Sequence, residues 1–282
     1  MSKPATPLTI DLAEAWRPYD RQGRFINSAK LYDLFLAGVA AGKSHALTCW
    51  VLSRALRNPG SVGALLGRTS IDLNTVLLPN LFARLEEMQN TSGINWIRSY
   101  DKGDALLTLI NGTSIYFRPY NRIEKLRGLT LTFAGADEIE WSEAEPEEIW
   151  TVLTGRLRGK GSAPGLGFST SPNGLRNGSI TKRFVDAQRR YAEAVKAGDV
   201  AGIREYGQYH TVTATSFDNP YLPSHFYETI KSMSKRRQLQ EIYGKVLTPL
   251  NAVFTLDPRH LITWDWRANP SLPRVYGVDW GG

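Results

Sequence analysis

A chain of 282 residues, 42% apolar and 22% charged, is long enough to bury one large core or two smaller ones, which excludes disordered and fibrous classes. Its formal charge of +7 favours an anionic partner, nucleic acid or an acidic surface, without choosing between them. Cys49 is the only cysteine, which excludes an internal disulfide and a cysteine zinc site; no apolar run reaches the roughly 20 residues that span a bilayer, and Met1-Ser2-Lys3-Pro4 opens no signal segment, so an intracellular protein with no membrane role is expected.

Residues 1 to 30 read as polar and irregular. The apolar run Leu34-Phe35-Leu36 then forms a strand that enters Ala37-Gly38-Val39-Ala40-Ala41-Gly42-Lys43-Ser44, the spacing of a phosphate-cradling loop between a strand and a helix. Ala37 stands where such loops usually have their first glycine, and Gly38 comes one place late. A helix through Thr48, Trp50, Val51 and Leu52 ends at Asn58-Pro59-Gly60, and Val62-Gly63-Ala64-Leu65-Leu66 is a second buried strand, closing at Gly67-Arg68-Thr69. Leu73, Leu77, Leu81 and Leu85 recur every four residues, as in a helix packed on a sheet, with Pro79 a possible kink. Ala105 to Ile110 and Thr113 to Phe117 flank Asn111-Gly112, a tight hairpin turn.

Two further short apolar strands end in polar groups: Leu131 to Ala136 runs into Asp137-Glu138, and Leu166 to Thr170 into Ser171-Pro172-Asn173-Gly174. A helix is expected from Ile180 to Lys196 and another around Ser224 to Gly244. Val275 to Val278 reads as a last strand, ending in Asp279. Strands alternating with helices predict an α/β fold with a mostly parallel central sheet flanked by helices. In such a sheet ligands bind at the carboxyl ends of the strands, so the ends near residues 36, 137 and 170 should converge on one crevice.

Removing a γ-phosphoryl group requires a cradle, a metal, a positioned water and positive charge in the transition state. Small residues from Ala37 to Gly42 let successive amides face phosphate, Lys43 reaches the β/γ-phosphates and Ser44 ligates Mg²⁺. Asp137 can hold the Mg²⁺ shell, and Glu138 can take a proton from the attacking water. Arg127, in the basic turn Arg122 to Gly128, can project toward its own phosphate or that of a neighbouring subunit, or be a plain surface cation. Ser169, Thr170, Ser171 and Asn173 can sense the γ-phosphate and couple hydrolysis to motion, although Ser-Pro-Asn-Gly is also ordinary turn chemistry. Near the N-terminus, Trp16 to Tyr19 can pack on an adenine and Gln22 can hydrogen-bond it. Lys235-Arg236-Arg237 with Arg189-Arg190 can contact phosphates or simply be solvated, and the scattered histidines lack metal-ligand spacing.

Together these motifs resemble the large terminase subunit of tailed bacteriophages, the motor that packages DNA into a procapsid. The resemblance runs over nearly the whole chain and implies an ASCE-type P-loop ATPase with a small lid or linker subdomain. It divides the sequence into an ATPase domain at 1–220, a linker at 221–270 and the first strand of an RNase H-like nuclease at 271–282. It implies ATP and Mg²⁺ as cofactors, Gln22 on adenine, Arg127 acting in trans, and Asp279 as a metal ligand of a nuclease that this chain alone would not complete. Implied partners are double-stranded DNA, the portal protein, the small terminase subunit and further copies of the chain in a ring, in the host cytoplasm and transiently at the portal, outside the mature virion. One departure is that relatives often carry an arginine inside the phosphate loop, where this chain has Val39, Ala40 and Ala41. Two other readings remain at this point: a helicase or remodeller of the same fold, and a non-catalytic DNA-binding module with a degenerate nucleotide pocket.

Overall fold

The structure is a computed structural model and describes residues 11–142, 145–172, 178–245 and 247. Expectations for Asn173, for the linker beyond residue 247 and for the 271–282 strand with Asp279 lie outside the described residues.

The N-terminal segment, expected to be irregular, contains helices α1 (Leu12–Trp16) and α2 (Asp20–Ile26). The Asp11 carboxylate caps α1 by accepting from the Ala13 and Glu14 amides at 2.8 and 3.2 Å, and the two helices bury Trp16, Phe25 and Ile26. Strand β1 (Tyr32–Ala37) leads through the glycine-rich loop into helix α3 (Lys43–Arg57), and β2 (Val62–Gly67) follows. The predicted helix at Leu73 is present but is not uniform. A short turn α4 (Ser70–Asp72) passes through a π-helical turn at Leu73–Leu77 into α5 (Leu78–Ser92). Pro79 directly follows the π-helical turn in a run that stays helical from Ser70 to Ser92; it lacks the N–H that would bond one turn back and its ring crowds the carbonyl four residues earlier, so the irregularity falls in the turn that the proline disturbs.

Strands β3 (Ile97–Asp101), β4 (Leu106–Leu109) and β5 (Ser114–Pro119) form an antiparallel addition of which only the β4–β5 hairpin was expected. Then come β6 (Phe133–Asp137), α6 (Pro146–Arg156), β7 (Gly165–Thr170), α7 (Ser179–Ala197), α8 (Val200–Tyr206) and β8 (Tyr209–Ala214). The helix expected from Ser224 to Gly244 is broken into α9 (Ser224–Lys231), α10 (Lys235–Arg237) and a π-helical turn at Gln238–Ile242, all in the same compact unit as the sheet.

The eight strands lie in the order β3-β4-β5-β2-β6-β7-β1-β8, and β5, β2, β6, β7, β1 and β8 are mutually parallel. The sheet is buried on both faces, as parallel sheets are. Side chains alternate along each strand. Phe35, Leu65 and Phe133 join the layer of α1, α2, α3 and α5, whereas Leu34, Leu36, Leu66, Ala134 and Ala136 join the layer of α6 and α7. This topology places β7 between β1 and β6, so the ends of the three strands named above are adjacent. Among the described residues no helix is long and apolar enough to cross a membrane.

The base of β1 is fixed by a buried ion pair. Asp33, fully buried, accepts from Arg54 of α3 at 2.9 Å and from the Trp50 indole at 3.1 Å. Arg54 is itself fully buried and also donates to the carbonyls of Ser28, Lys30, Ala163 and Pro164, joining α3 to the segments that lead into β1 and β7. Removing only the cation would leave the buried carboxylate with the Trp50 indole and with His210 Nδ1, 3.1 Å from its other oxygen, and so cost up to about 3–5 kcal/mol. Arg54→Met should therefore lower the midpoint of denaturant unfolding by that equivalent with an unchanged m-value, and a variant as stable as the parent would contradict this role.

Candidate functional site

The loop from Ala37 to Ser44 is shaped by what happens to its carbonyls. Lys43 Nζ donates to the Gly38 carbonyl at 3.0 Å, the Ser216 hydroxyl to that of Val39 at 2.5 Å, and the Asn219 amide to that of Ala40 at 2.8 Å. The Tyr19 phenol donates to Ala41 at 2.7 Å and the Gln22 side chain to Gly42 at 3.1 Å. Five consecutive carbonyls are thus occupied by protein donors, and the amides of Gly38, Val39 and Ala41 donate to the carbonyls of Ala214, Glu241 and Gly38. The Ala40 and Gly42 amides donate to no acceptor among the described residues, and those of Lys43 and Ser44 are the first of α3, which a helix leaves without internal partners. This is an anion cradle reinforced by the positive end of the α3 dipole. Gly42 has φ +75°, a region that favours glycine, and a Cβ on Gly38 would strike the carbonyls of Glu241 and Ile242. Ala40, at φ 58°, bears the left-handed turn that a glycine would more readily take.

Beside the cradle, the last two residues of β7 and the one that follows it meet the end of β6 and the turn after it. The Ser169 hydroxyl donates to Asp137, the Glu140 amide donates to the Thr170 hydroxyl at 3.4 Å, and the Ser171 amide and hydroxyl donate to Glu138 at 3.0 and 3.3 Å. The other Asp137 oxygen accepts from the Ser44 hydroxyl at 2.7 Å. Burial, with the Glu138 charge next to it, pushes the Asp137 carboxyl up to about 6, against the lowering effect of the Ser169 and Ser44 hydrogen bonds and of Lys43. Glu138 lies at φ 49°, ψ 45°, a left-handed backbone held by its side-chain bonds and by the turn at Ile139–Trp141 that it opens. Lys43 is 3.3 Å from Glu138, so the one cation in the loop bridges it to the carboxylates.

A cavity of about 520 Å³ opens over these groups, lined among others by Val39, Ser44, Asp137, Glu138 and Ser171. Arg68 and Arg237 also line it, neither of which the sequence reading had assigned to this crevice. Behind the loop a second cavity, of about 570 Å³, includes Arg17, Gln22, Gly42, His45, Asn219 and Tyr221. Gln22 is thus near the expected nucleobase position, but its amide group is engaged, with Nε2 on Gly42 and Oε1 on the Tyr19 amide at 3.4 Å. Trp16 lines this cavity as well, but it is largely buried and its indole N–H is used on the Arg84 carbonyl at 3.2 Å.

Arg127 is exposed and is not among the residues lining either cavity; its carbonyl is held by Arg156. Arg189 and Arg237 are paired with carboxylates on their own segments, Glu193 at 2.9 Å and Glu241 at 2.7 Å. Burial and the neighbouring Arg84 lower the His45 imidazole to about 4, so it is neutral at physiological pH. Among the described residues no three histidine, cysteine or acidic side chains form a cluster that could hold a metal.

Compared by sequence with curated proteins, the chain has no match. Several solved structures share its fold. The ATPase domain of the Thermus phage P74-26 large terminase aligns at 18% identity and a TM-score of 0.57, over 83% of this chain and 97% of that one. The large terminase of a thermophilic bacteriophage in complex with ATP-γ-S aligns at 18% identity and a TM-score of 0.57, over 82% of this chain and 53% of that one. That of bacteriophage HK97 aligns at 12% identity and a TM-score of 0.53, over 86% and 52%. The chain therefore spans about half the length of these two longer terminases. The family model described as "Phage terminase large subunit" matches residues 29–243, from the start of β1 to the end of the π-helical turn that touches the loop, and the chain belongs to that family.

Proposed function

We propose that this chain is the ATP-hydrolysing part of a phage DNA-packaging motor. The observation that carries the reading is the meeting, in one crevice, of an anion cradle with the Ser44–Asp137 hydrogen bond and a glutamate held by Ser171. The relative solved with ATP-γ-S supports the choice of ligand. The cradle amides and Lys43 would bind the phosphates, with the base in the cavity beside Gln22 and Tyr221.

Ser44 and Asp137 present a hydroxyl and a carboxylate oxygen 2.7 Å apart, a hard-donor pair that fits Mg²⁺, which is commonly held by one or two protein oxygens together with substrate phosphates. When bound there, the ion would neutralise charge on the β- and γ-phosphates. Glu138 would accept a proton from the attacking water as the water oxygen bonds to the γ-phosphorus and the bond to the β-phosphate oxygen breaks, releasing ADP and phosphate. Lys43 would leave Glu138 for the phosphate, freeing a carboxylate oxygen for that proton.

The direct bonds from Ser169 and Ser171 to the two carboxylates give residues 169–171 a physical means of responding to hydrolysis, and we assign the coupling role to them together with Asn173. Arg127, exposed and away from its own crevice, is suited to complete the site of an adjacent copy in a ring. Double-stranded DNA is the cargo, and a further cavity, whose lining includes Lys102, Arg118, Arg122 and Lys125, is suited to its phosphates. The division into ATPase, linker and nuclease regions, the metal role of Asp279, the portal and small-subunit partners, and action in the host cytoplasm at the procapsid belong to the same reading.

Lys43→Ala should abolish nucleotide binding or turnover, whereas Glu138→Gln should retain ATP binding within a few-fold and lose at least about a hundredfold in phosphate release. Undiminished turnover in the glutamine variant would remove Glu138 as the base. For action in trans, Arg127→Ala subunits mixed with Glu138→Gln subunits that retain Arg127 should recover activity under assembly conditions. Absence of recovery, with both variants assembled, would place Arg127 outside the neighbouring site.

A further inference from the structure

The phosphate loop contains no cation before Lys43, since Val39, Ala40 and Ala41 are all uncharged. A γ-phosphate entering the crevice would meet the carboxylates of Asp72, Asp137, Glu138 and Glu241 along its walls. Two guanidinium groups line the same space. Arg237 rides on the three-residue helix α10, with a 66% exposed side chain bonded to Glu241. Arg68 is placed by the sheet itself.

Strands β2 and β6 are paired in parallel, and their last registered pair is Leu66 with Ala136. Two residues further along each chain stand Arg68 and Glu138, so the arginine leaves its strand beside the point where the glutamate leaves the next one. The Arg68 side chain is held in a fork, with Nε 3.1 Å from one Asp72 oxygen and Nη2 3.3 Å from the other. Asp72 is itself fixed by the Thr69 amide at 3.1 Å and the Thr69 hydroxyl at 2.8 Å. The Asp72 hydrogen bonds keep Arg68 more firmly protonated than usual, with the charges of Glu138 and Asp137 contributing. The fork uses one edge of the guanidinium, and Nη1 has no acceptor among the described residues. A half-exposed cation on a residue that lines the crevice, with its stem fixed by Asp72 and Nη1 unbonded, is prepared for an incoming anion.

We infer that Arg68 is a catalytic residue acting within its own chain, donating from its free edge to the γ-phosphate and so supplying the positive charge that the loop lacks. The inference rests on the nucleotide reading above. It assigns Arg68 no proton transfer: water still gives its proton to Glu138, and the electron pair of the breaking bond still leaves on ADP. Arg68 offsets the charge gathering on the equatorial γ-oxygens and screens them from the Glu138 carboxylate. It also makes the site selective for a triphosphate, because ADP has no γ-oxygens to contact.

The test measures binding of ADP and of ATP-γ-S, and phosphate release from ATP, for the full chain and its Arg68→Gln and Arg68→Lys variants. Arg68→Gln should weaken ATP-γ-S by about tenfold or more, leave ADP within about twofold, and lower kcat about a hundredfold. Arg68→Lys, which keeps the charge but not the fork, should keep the protein folded and fall between the two, so loss of folding in the glutamine variant would not decide the matter. Unchanged preference for ATP-γ-S over ADP together with unchanged kcat in both variants would overturn the inference. Loss of DNA binding alone, with nucleotide preference intact, would overturn it too and place Arg68 on DNA phosphate. Failure of the unmodified chain to bind either nucleotide would instead overturn the nucleotide reading on which the inference rests.

Discussion

The Asp137 carboxylate, accepting from Ser44 on one oxygen and Ser169 on the other, is the contact on which the crevice depends. These hydroxyls come from the helix after β1 and from the end of β7, so one buried side chain ties together three neighbouring segments of the parallel sheet. Burying a carboxylate is tolerated here because its lone pairs are met by hydroxyls and by the nearby Lys43, and the residual cost appears as a proton affinity raised to about 6. The Tyr120 phenol also donates to the Asp137 carbonyl, at 2.6 Å, closing the backbone side of the same residue. A divalent cation would relieve the same cost by replacing the hydroxyl protons as the positive partner, which is a physical reason for a metal to bind at this oxygen pair.

The loop follows a complementary logic. The Ala40, Gly42, Lys43 and Ser44 amides are available while five carbonyls are not, and besides Lys43 the donors that occupy those carbonyls come from far along the chain: Tyr19 and Gln22 before β1, Ser216 and Asn219 after β8. The segment at Gln238–Ile242 lies directly on the loop, where the Glu241 carbonyl accepts from the Val39 amide at 2.5 Å. Gly38 is required by that approach, which gives a structural reason for a glycine one place later than the usual pattern. The chain thus builds its cradle from tertiary contacts, and Ala37 and Ala40 are accepted at positions where a free-standing loop would favour glycine.

Strong local signals made much of this visible in the sequence. Buried parallel strands are continuous apolar runs, and Leu34 to Leu36, Val62 to Leu66 and Leu131 to Ala136 could be read directly; so could the Asn111-Gly112 hairpin and the long amphipathic α7. Strand β8, Tyr209-His210-Thr211-Val212-Thr213-Ala214, could not, because it is an edge strand of which only Val212 and Ala214 are buried. Helices α1 and α2 are too short to show a period, and their few apolar residues are explained only by the α3 and α5 surfaces that they cover. In the crevice, the loop and Asp137-Glu138 carry their chemistry in their spacing. Arg68, Ser216 and Asn219 carry no such signal, since a strand register and contacts across more than half of the chain bring them to the site.

The central claim is that the loop between β1 and α3 is an anion cradle whose lysine exchanges Glu138 for phosphate. A crystal structure of the chain with ADP, aluminium fluoride and Mg²⁺ tests it most directly. The account predicts phosphate oxygens on the amides of Ala40, Gly42, Lys43 and Ser44, the ion at the Ser44 and Asp137 oxygens, and Lys43 Nζ moved from the Gly38 carbonyl and Glu138 onto phosphate. A nucleotide bound with Lys43 still on Gly38 and Glu138, or with its phosphates outside the Ala37 to Ser44 loop, would contradict it.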